Sequence, residues 1–227
     1  MTPLRKKLAK AKLKDTGAEA VTRARTQLAS YADAQAMGDA ALSRELHSGI
    51  AAARIGQIGL QTTAEPEGLA CAAGCAFCCV LTGEDGGVMT GAEAKVLHGA
   101  LAPLAGEPDG REWVAKACPA LDPETRMCRA YSARPMICRS YISRDVAACE
   151  SHANGVPAEG GGVRAAYGTY LNIHALGRAA LGPGHAPTYS LRRVAAAAVE
   201  GRSLEEALKE ARHRPAELHA ERKRATL

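Results

Sequence analysis

The stretch CAAGCAFCC, residues 71–79, places four cysteines within nine positions of a 227-residue chain. Four more cysteines follow at wider intervals, so that the full set is Cys71, Cys75, Cys78, Cys79, Cys118, Cys128, Cys138 and Cys149. Free thiolates held this close would repel one another or oxidise, and a bound cation removes both problems. The pattern therefore predicts a metal site for which these eight side chains are the candidate ligands.

The spacing of the cysteines bears on which metal is bound. Soft thiolates select zinc, copper(I) or iron–sulfur clusters over hard ions. Structural zinc sites usually present their ligands in pairs separated by two to four residues, and the cysteines at 118, 128 and 138 show no such pairing. Clusters of the 4Fe-4S type need four thiolates, often three close in sequence and one distant. The spacing favours an iron–sulfur cluster, with zinc as the alternative.

Two features around the cysteines leave alternatives open. Cys149 is either an eighth ligand, for which His152 could substitute, or a small buried apolar side chain. Arginines accompany the downstream cysteines at positions 129, 134, 139 and 144. A cation beside a thiolate lowers its pKa and offsets the negative charge of a four-thiolate site. These arginines therefore either support the metal site or are ordinary surface residues.

The two cysteine-rich stretches together resemble the CxxCxxCC family of zinc- or iron-chelating proteins, which includes YkgJ-type proteins. The resemblance is carried by CAAGCAFCC at 71–79, LTGEDGGVMTGAEA at 81–94 and CPALDPETRMCRAYSARPMICRSY at 118–141. It implies that the first seven cysteines form one cluster, and that Arg134, Arg139 and Tyr141 contact the bound cofactor. One branch of the family methylates flagellin lysines, but this chain has no glycine-rich loop after a strand for S-adenosylmethionine, so that activity is not expected.

Composition and periodicity predict a mainly α fold, with helices surrounding an irregular cysteine-rich metal-binding core. Hydrophobic residues make up 47% of the chain and aromatic residues only 4%, which favours close-packed helices over a β-sandwich. We divide the chain into a helical segment with a basic arm at 1–65, a cysteine-cluster metal-binding domain at 66–150 and a C-terminal helical segment at 151–227.

Local signals place individual helices within these segments. Val21, Ala24, Leu28 and Tyr31 share one helical face, and glycines 17, 38, 49 and 56 divide the first 60 residues into two or three helices. Thr90 and Glu93 have the spacing of a capping box that starts a helix ending near 104. Further helices are expected near 164–180, near 189–200 and after Ser203, whereas prolines predict irregular structure across 105–150.

The net charge of +5 is concentrated near the N-terminus, where Arg5 and lysines 6, 7, 10, 12 and 14 alternate with leucines. We interpret this arm as a solvent-exposed helix face. Contact with a nucleic acid is the alternative, although no aromatic residue is present for base stacking. No apolar stretch reaches the roughly 20 residues of a membrane span, and no signal-peptide core is present. We therefore expect a cytoplasmic protein, whose thiols stay reduced and serve metal or redox chemistry.

Two rival functions remain. CAAGCAFC matches the C-x3-C-x-aromatic-C motif of radical S-adenosylmethionine enzymes, but those need a βα partial barrel downstream, which this sequence does not predict. A zinc-stabilised module that binds a nucleic acid or an acidic protein is the other rival. No paired carboxylates and no Ser/His/Asp arrangement identify a catalytic residue, so the sequence leaves open whether the protein is an enzyme. The expected partners are the metal or cluster and a protein partner.

Overall fold

Helices dominate the computed structural model, which describes residues 1–14, 17–81, 86–156, 161–182 and 184–225. Within these ranges lie thirteen α-helices: α1 Pro3–Lys10, α2 Ala18–Ala34, α3 Asp39–Ser48, α4 Ile50–Thr62, α5 Cys78–Leu81, α6 Gly91–Leu101, α7 Gly110–Trp113, α8 Met136–Ser140, α9 Val146–Ala153, α10 Ala165–Leu181, α11 Leu191–Val199, α12 Leu204–Ala211 and α13 Pro215–Arg224. The prediction of a mainly α fold is confirmed.

The first four helices form an amphipathic layer at the N-terminus. Val21, Ala24, Leu28 and Tyr31 are buried along one face of α2, as their spacing predicts. Four helices occupy this region, more than the two or three expected, and Gly56 lies inside α4 instead of ending a helix. A Cβ at Gly56 would lie 2.8 Å from Met136 Cε and 3.1 Å from Tyr170 Cβ. This glycine therefore serves close packing, not helix termination.

The seventeen-residue helix α10 is the centre of the core. It packs against α2, α3 and α4 from the N-terminal region and against α13 from the C-terminus. Its buried side chains include Tyr167, Tyr170 and His174. It also contacts α8, the short helix that carries Cys138. The helical core is thus in direct contact with the cysteine-rich region; the boundaries at 65 and 150 stay a prediction.

Two helices begin with the capping boxes that the sequence predicts or suggests. In α6, Glu93 N–H donates to Thr90 Oγ1 at 3.4 Å, and Thr90 N–H donates to the Glu93 carboxylate at 2.9 Å. The same reciprocal bonds join Ser203 and Glu206 at the start of α12. Helix α6 continues as a 3-10 turn at Ala102–Leu104, which agrees with the expected end near 104.

The described residues form two small antiparallel sheets of two strands each. β1 (Val88–Thr90) pairs with β4 (Thr188–Ser190) so that Met89 faces Tyr189. β2 (Tyr141–Ser143) pairs with β3 (Gly161–Val163) so that Ile142 faces Gly162. No parallel βα barrel is present in the described ranges, and such a barrel is the context that the radical S-adenosylmethionine interpretation requires. Residues 82–85 of the stretch LTGEDGGVMTGAEA lie outside the described residues.

The basic arm forms an amphipathic helix against the core. Leu4 and Leu8 of α1 are buried, whereas Lys6, Lys7 and Lys10 are exposed. The expected solvent-exposed basic face is therefore confirmed. None of the helices in the described ranges combines the length and the apolar composition that crossing a membrane requires.

Candidate metal centre

A single cavity of about 550 Å³ brings the cysteines together. Its walls come from the 71–77 loop, α5, the segment 118–128, α8, β2 and α9, and its lining includes Cys71, Cys75, Cys78, Cys79, Cys118, Cys128, Cys138 and Cys149. Cysteines that are up to 78 positions apart in sequence (149 less 71) therefore face the same volume.

The first cysteine stretch is a loop that turns into a short helix. Gly74 has φ +76° and Ala76 has φ +55°, so the chain turns twice through the left-handed region before α5 begins at Cys78. The start of the loop is fixed to β2, because Ser143 N–H donates to Cys71 Sγ at 3.3 Å and Ala70 N–H donates to the Ser143 carbonyl at 2.9 Å. These turns direct the cysteines of the loop towards the cavity.

The second cysteine stretch is joined to the first through the backbone. Cys118 N–H donates to the Cys79 carbonyl at 3.1 Å, and Leu121 N–H donates to the Cys118 carbonyl at 3.1 Å. An antiparallel bridge between Leu121 and Cys128 then returns the chain to the cavity. Backbone bonds thus hold Cys79, Cys118 and Cys128 near one another without help from a ligand.

Gly110 allows the Cys118 segment to approach α7. A Cβ at this position would lie 2.5 Å from the Cys118 carbonyl oxygen and 2.8 Å from Leu121 Cβ. The preceding residue, Asp109, caps α7 by accepting from Arg111 N–H at 2.9 Å. The segment carrying Cys118 therefore packs directly on the backbone of a capped turn.

Cys138 lies on α8, and the start of this helix is held by a buried carboxylate. Met136 N–H donates to Glu93 Oε1 at 2.8 Å, while Tyr170 OH donates to Glu93 Oε2 at 2.6 Å. Thr90 supplies two further donors to Oε2, each at 2.9 Å. Sequence analysis identifies Glu93 only as a helix cap; its contact with Met136, 43 positions away, leaves no signal in the sequence.

Cys149 is 6% exposed on α9 and lines the cavity. Its thiol forms a side-chain hydrogen bond with Tyr141, and burial, together with this neighbouring thiol, raises the pKa of the tyrosine. Tyr141 also lines the cavity, as the family resemblance implies for a residue near the cofactor. The structure thus brings both side chains to the cavity wall, whereas His152 is absent from the cavity lining.

The adjacent thiols Cys78 and Cys79 share a hydrogen bond that shifts their pKa values in opposite directions. The bond from Cys79, together with the Arg134 cation, lowers the pKa of Cys78 to about 7 despite burial. The same bond and burial raise the pKa of Cys79 well above its usual value. One thiolate, on Cys78, is therefore accessible near neutral pH in this pair.

Burial keeps other cavity thiols protonated. It raises the pKa of Cys118 to about 12, although the Arg192 cation acts in the opposite direction. Burial likewise raises the pKa of Cys75, Cys128 and Cys138. A metal that binds these sulfurs must displace their protons, so its affinity rises with pH.

The four arginines near the downstream cysteines occupy different places. Arg134 lines the cavity and stacks on the Tyr131 ring, with its guanidinium carbon 3.6 Å from the ring centroid. Arg139 is not among the lining residues; its guanidinium donates to the carbonyls of Ser132 and Arg134, the latter at 2.6 Å. Arg139 thus supports the wall from behind.

The other two arginines of this group also lie away from the cavity lining. Arg129 pairs with Glu107 at 3.3 Å, and Arg144 is exposed. Of the four, Arg134 is therefore the one that lines the cavity, although the Arg129 cation also acts against the burial-raised pKa of Cys128.

Two lining cations, Arg126 and Arg192, were not identified from the sequence, and Arg192 contacts the cysteine backbone. Arg192, on α11, faces the cavity and donates to the Cys79 carbonyl at 3.4 Å. It follows the last cysteine by 43 positions (192 less 149) and lies in an alanine-rich helix, so no motif identifies it. Only the packing of α11 against α6 brings it to the site.

The thiols surround the cavity without closing on one point. Among the described residues, no group of three or more Cys, His, Asp or Glu side chains is placed so that it could hold a metal ion. The donor chemistry nevertheless fits a soft metal, because thiols dominate the polar groups of the lining and three arginines in the lining offset their charge.

Part of the chain matches a known protein family. Residues 70–155 match the sequence model of the CxxCxxCC family, whose description is "Putative zinc- or iron-chelating domain". No curated protein and no solved structure matches the chain significantly. The matched range contains every cysteine and most of the other residues that line the cavity. The cysteine-rich segment of this chain is thus similar to the CxxCxxCC domain.

Proposed function

We propose that this protein holds an iron–sulfur cluster of the 4Fe-4S type through its cysteines and serves a redox or accessory role. The observation that carries the proposal is the convergence of the eight cysteines on one cavity. Soft thiolates bind iron–sulfur clusters and zinc in preference to hard ions. Each such cluster takes four thiolates, and the candidate ligands are Cys71, Cys75, Cys78, Cys79, Cys118, Cys128, Cys138 and Cys149.

The size of the cavity supports a cluster over a single ion. Four sulfurs around one zinc ion lie about 2.3 Å from the metal, and such a site fills only a small part of a 550 Å³ cavity. A cluster contains iron and sulfide atoms of its own and needs more room. The spacing of the cysteines, with a close set and distant members, favours the same choice.

Charges in the wall suit a thiolate-bound centre. Four thiolates leave a net negative charge on zinc or on an oxidised cluster, and nearby cations offset it. Arg134 and Arg192 both line the cavity and lower the pKa of cavity thiols. These arginines would therefore stabilise the bound centre, while Tyr141 would hold the Cys149 side of the wall.

The mouth of the cavity is open to a partner. Tyr131 is 60% exposed, Met127 is 45% exposed, and both line the cavity. A cluster near this rim would supply one-electron transfer, and the chain's own residues would orient a protein partner against it. We place this activity in the cytoplasm, where the thiols remain reduced.

The test is to purify the full chain without oxygen and to measure iron, acid-labile sulfide and zinc, with absorption and paramagnetic-resonance spectra. We expect iron and sulfide in equal amounts, in multiples of about four per chain, and a brown chromophore. Zinc without iron would reject the cluster and keep metal binding. A chain that takes up neither metal would reject the proposal as a whole.

Two variants distinguish the loss of a thiol ligand from the effect of replacing any side chain that lines the cavity. Cys118→Ser should lower metal content, because a backbone-fixed thiol is removed. Met127→Leu changes a sulfur-bearing residue of the same cavity that is not a thiol, and it should leave metal content unchanged. Equal metal content in both variants would contradict the role of Cys118.

A further inference from the structure

The turn between the bridged residues Leu121 and Cys128 presents two exposed side chains at the mouth of the cavity. Backbone bonds close this turn, since Arg126 N–H donates to the Asp122 carbonyl and Asp122 N–H donates to the Met127 carbonyl, each at 2.9 Å. Arg126 has φ +58°, a left-handed conformation that few non-glycine residues adopt. Arg126 and Met127 are both exposed, and both line the cavity. The turn therefore holds an arginine and a methionine in place at the mouth.

Two arginines at the mouth lie against aromatic rings. The guanidinium carbon of Arg126 is 5.5 Å from the centroid of the Trp113 ring, and that of Arg134 is 3.6 Å from the centroid of the Tyr131 ring. Such a stack orients the planar guanidinium and leaves its terminal nitrogens to donate to a carboxylate. Because Tyr131 is 60% exposed, the stack at this position borders solvent. Both cations are thus oriented before a partner binds.

The lining supplies no carboxylate for these cations. Within the described residues, none of the side chains that line the cavity is Asp or Glu, and neither Arg126 nor Arg134 forms an ion pair. The turn itself contains two acidic residues. Asp122 accepts from Thr125 N–H at 2.7 Å, and Glu124 is exposed and lies outside the lining. The mouth is therefore positively charged and has no acidic side chain of its own.

We propose that the mouth of the cavity docks an acidic segment of a partner protein, with its carboxylates paired to Arg126 and Arg134. An apolar side chain of the same segment lies against Tyr131 and Met127. Tyrosine, methionine and arginine are enriched at protein interfaces, so the exposed residues at the mouth favour a protein over a small anion. This inference rests on the proposed function and adds the chemistry of the partner to it.

Other macromolecules fit this surface less well. A nucleic acid would stack its bases on exposed aromatic faces. Tyr131 is the one exposed aromatic residue of the described lining, and the Arg134 guanidinium already covers one face of its ring. A second copy of this chain carries a net charge of +5, which opposes its approach to a basic mouth. Charge and residue type together therefore point to an acidic protein segment.

The test measures binding of a fluorescein-labelled peptide, rich in glutamate and carrying one phenylalanine, to the full chain purified without oxygen. Fluorescence anisotropy gives the dissociation constant, which should rise as salt is added because salt screens opposite charges. Replacing the phenylalanine by glycine should weaken binding about tenfold, and replacing the glutamates by lysines should abolish it. Equal affinity of the phenylalanine and glycine peptides would overturn docking of a protein segment, and so would absence of binding.

Variants locate the bound peptide. Arg126→Gln should weaken its binding about tenfold, and Tyr131→Ala should remove the advantage of the phenylalanine. Arg144→Gln is the matched control, because Arg144 is exposed but does not line the cavity, and it should leave the dissociation constant unchanged. Loss of binding when Lys6 and Lys10 are replaced by glutamine, but not in Arg126→Gln, would place the peptide on the basic arm and overturn the proposal.

Further measurements identify a different occupant. Displacement of the labelled peptide by a single-stranded oligonucleotide at lower concentrations than by unlabelled peptide would overturn the proposal in favour of a nucleic acid. Sedimentation of the chain as a dimer that excludes the peptide would overturn it in favour of a second copy. Metal content is measured on the same samples. A chain that holds metal but does not bind the peptide overturns the docking site alone, whereas a chain that binds the peptide but takes up no metal overturns the proposed function alone.

Discussion

Replacement of Glu93 by glutamine tests whether a buried carboxylate holds the helix that carries Cys138. The carboxylate accepts four hydrogen bonds, from Met136 N–H at 2.8 Å, Tyr170 OH at 2.6 Å, and Thr90 N–H and Oγ1–H at 2.9 Å each. Glutamine has the same shape but replaces one acceptor oxygen by an NH₂ donor. In one orientation of the amide, the NH₂ faces Met136 N–H; in the other, it faces Thr90 N–H.

The magnitude follows from this geometry. Either orientation leaves one buried backbone N–H without an acceptor, at a cost of about 1–3 kcal/mol. The remaining bonds change from charge-assisted to neutral, which weakens each by about 1 kcal/mol. Rotation of the Thr90 and Tyr170 hydroxyls recovers part of this loss. We therefore expect Glu93→Gln to lower the free energy of unfolding by about 3–5 kcal/mol.

The assay is urea unfolding of the metal-free protein, followed by metal content after reconstitution. Metal content should also fall, because Glu93 fixes Met136 and so positions α8 with Cys138. Glu206→Gln is the matched control, since Glu206 forms the same capping box with Ser203 but is exposed. That variant should change stability by less than about 0.5 kcal/mol. A loss below about 1 kcal/mol for Glu93→Gln would refute the anchoring role.

Three other predictions concern acid stability, close packing and thiol reactivity. Burial lowers the pKa of His174 to about 4, so between pH 6.5 and 4 the unfolded chain binds a proton that the folded chain does not. The free energy of unfolding should therefore fall by about 3 kcal/mol as the pH drops through this window. Urea unfolding of His174→Gln should show a pH dependence that is smaller by this amount. Gly110→Ala should lower the free energy of unfolding by more than about 2 kcal/mol and lower metal content, because the added Cβ would lie 2.5 Å from the Cys118 carbonyl oxygen. Gly99→Ala on α6 is the control, since its Cβ would meet no atom within 4 Å. In the same urea-unfolding assay this variant should raise the free energy of unfolding by about 0.5–1 kcal/mol. In metal-free protein, the iodoacetamide alkylation rate of Cys78, measured by mass spectrometry, should rise with a midpoint near pH 7, and a midpoint near 9 would contradict the hydrogen-bonded thiolate.

Local features of the fold were predictable from sequence because they depend on neighbouring residues. The face of α2 follows from apolar residues three and four positions apart, and Thr90 with Glu93 meets the spacing of a capping box. The observed α10 and α11 lie where helices were expected, near 164–180 and near 189–200. Gly56 was the exception, because a glycine in a helical pattern predicts the end of a helix. Its packing role depends on its close contact with Met136 and Tyr170, which the sequence does not indicate.

The thiols of the candidate site were predictable from the sequence, but the residues that hold the surrounding backbone in place were not. Cysteine spacing alone identifies the residues that face the cavity, because few other roles require so many thiols so close together. Arg192 and the second role of Glu93 depend on contacts across 113 and 43 positions, respectively. For Arg139 the family resemblance implies contact with the cofactor. In the structure its guanidinium donates to the backbone carbonyls of Ser132 and Arg134. Such differences arise because a pattern specifies residue types and tertiary packing decides where each side chain points.

The positions of the thiols depend on helices beyond the segment that matches the CxxCxxCC family. That segment ends at residue 155, yet Tyr170 of α10 binds the carboxylate that anchors α8, and Arg192 of α11 binds the Cys79 carbonyl. From the N-terminal side, Gly56 of α4 admits Met136, the first residue of α8. A metal ion can add its binding energy to folding only if its ligands can reach it. We therefore expect the flanking helices, which carry none of the eight cysteines, to raise metal affinity by fixing the positions of the loops that carry the sulfurs.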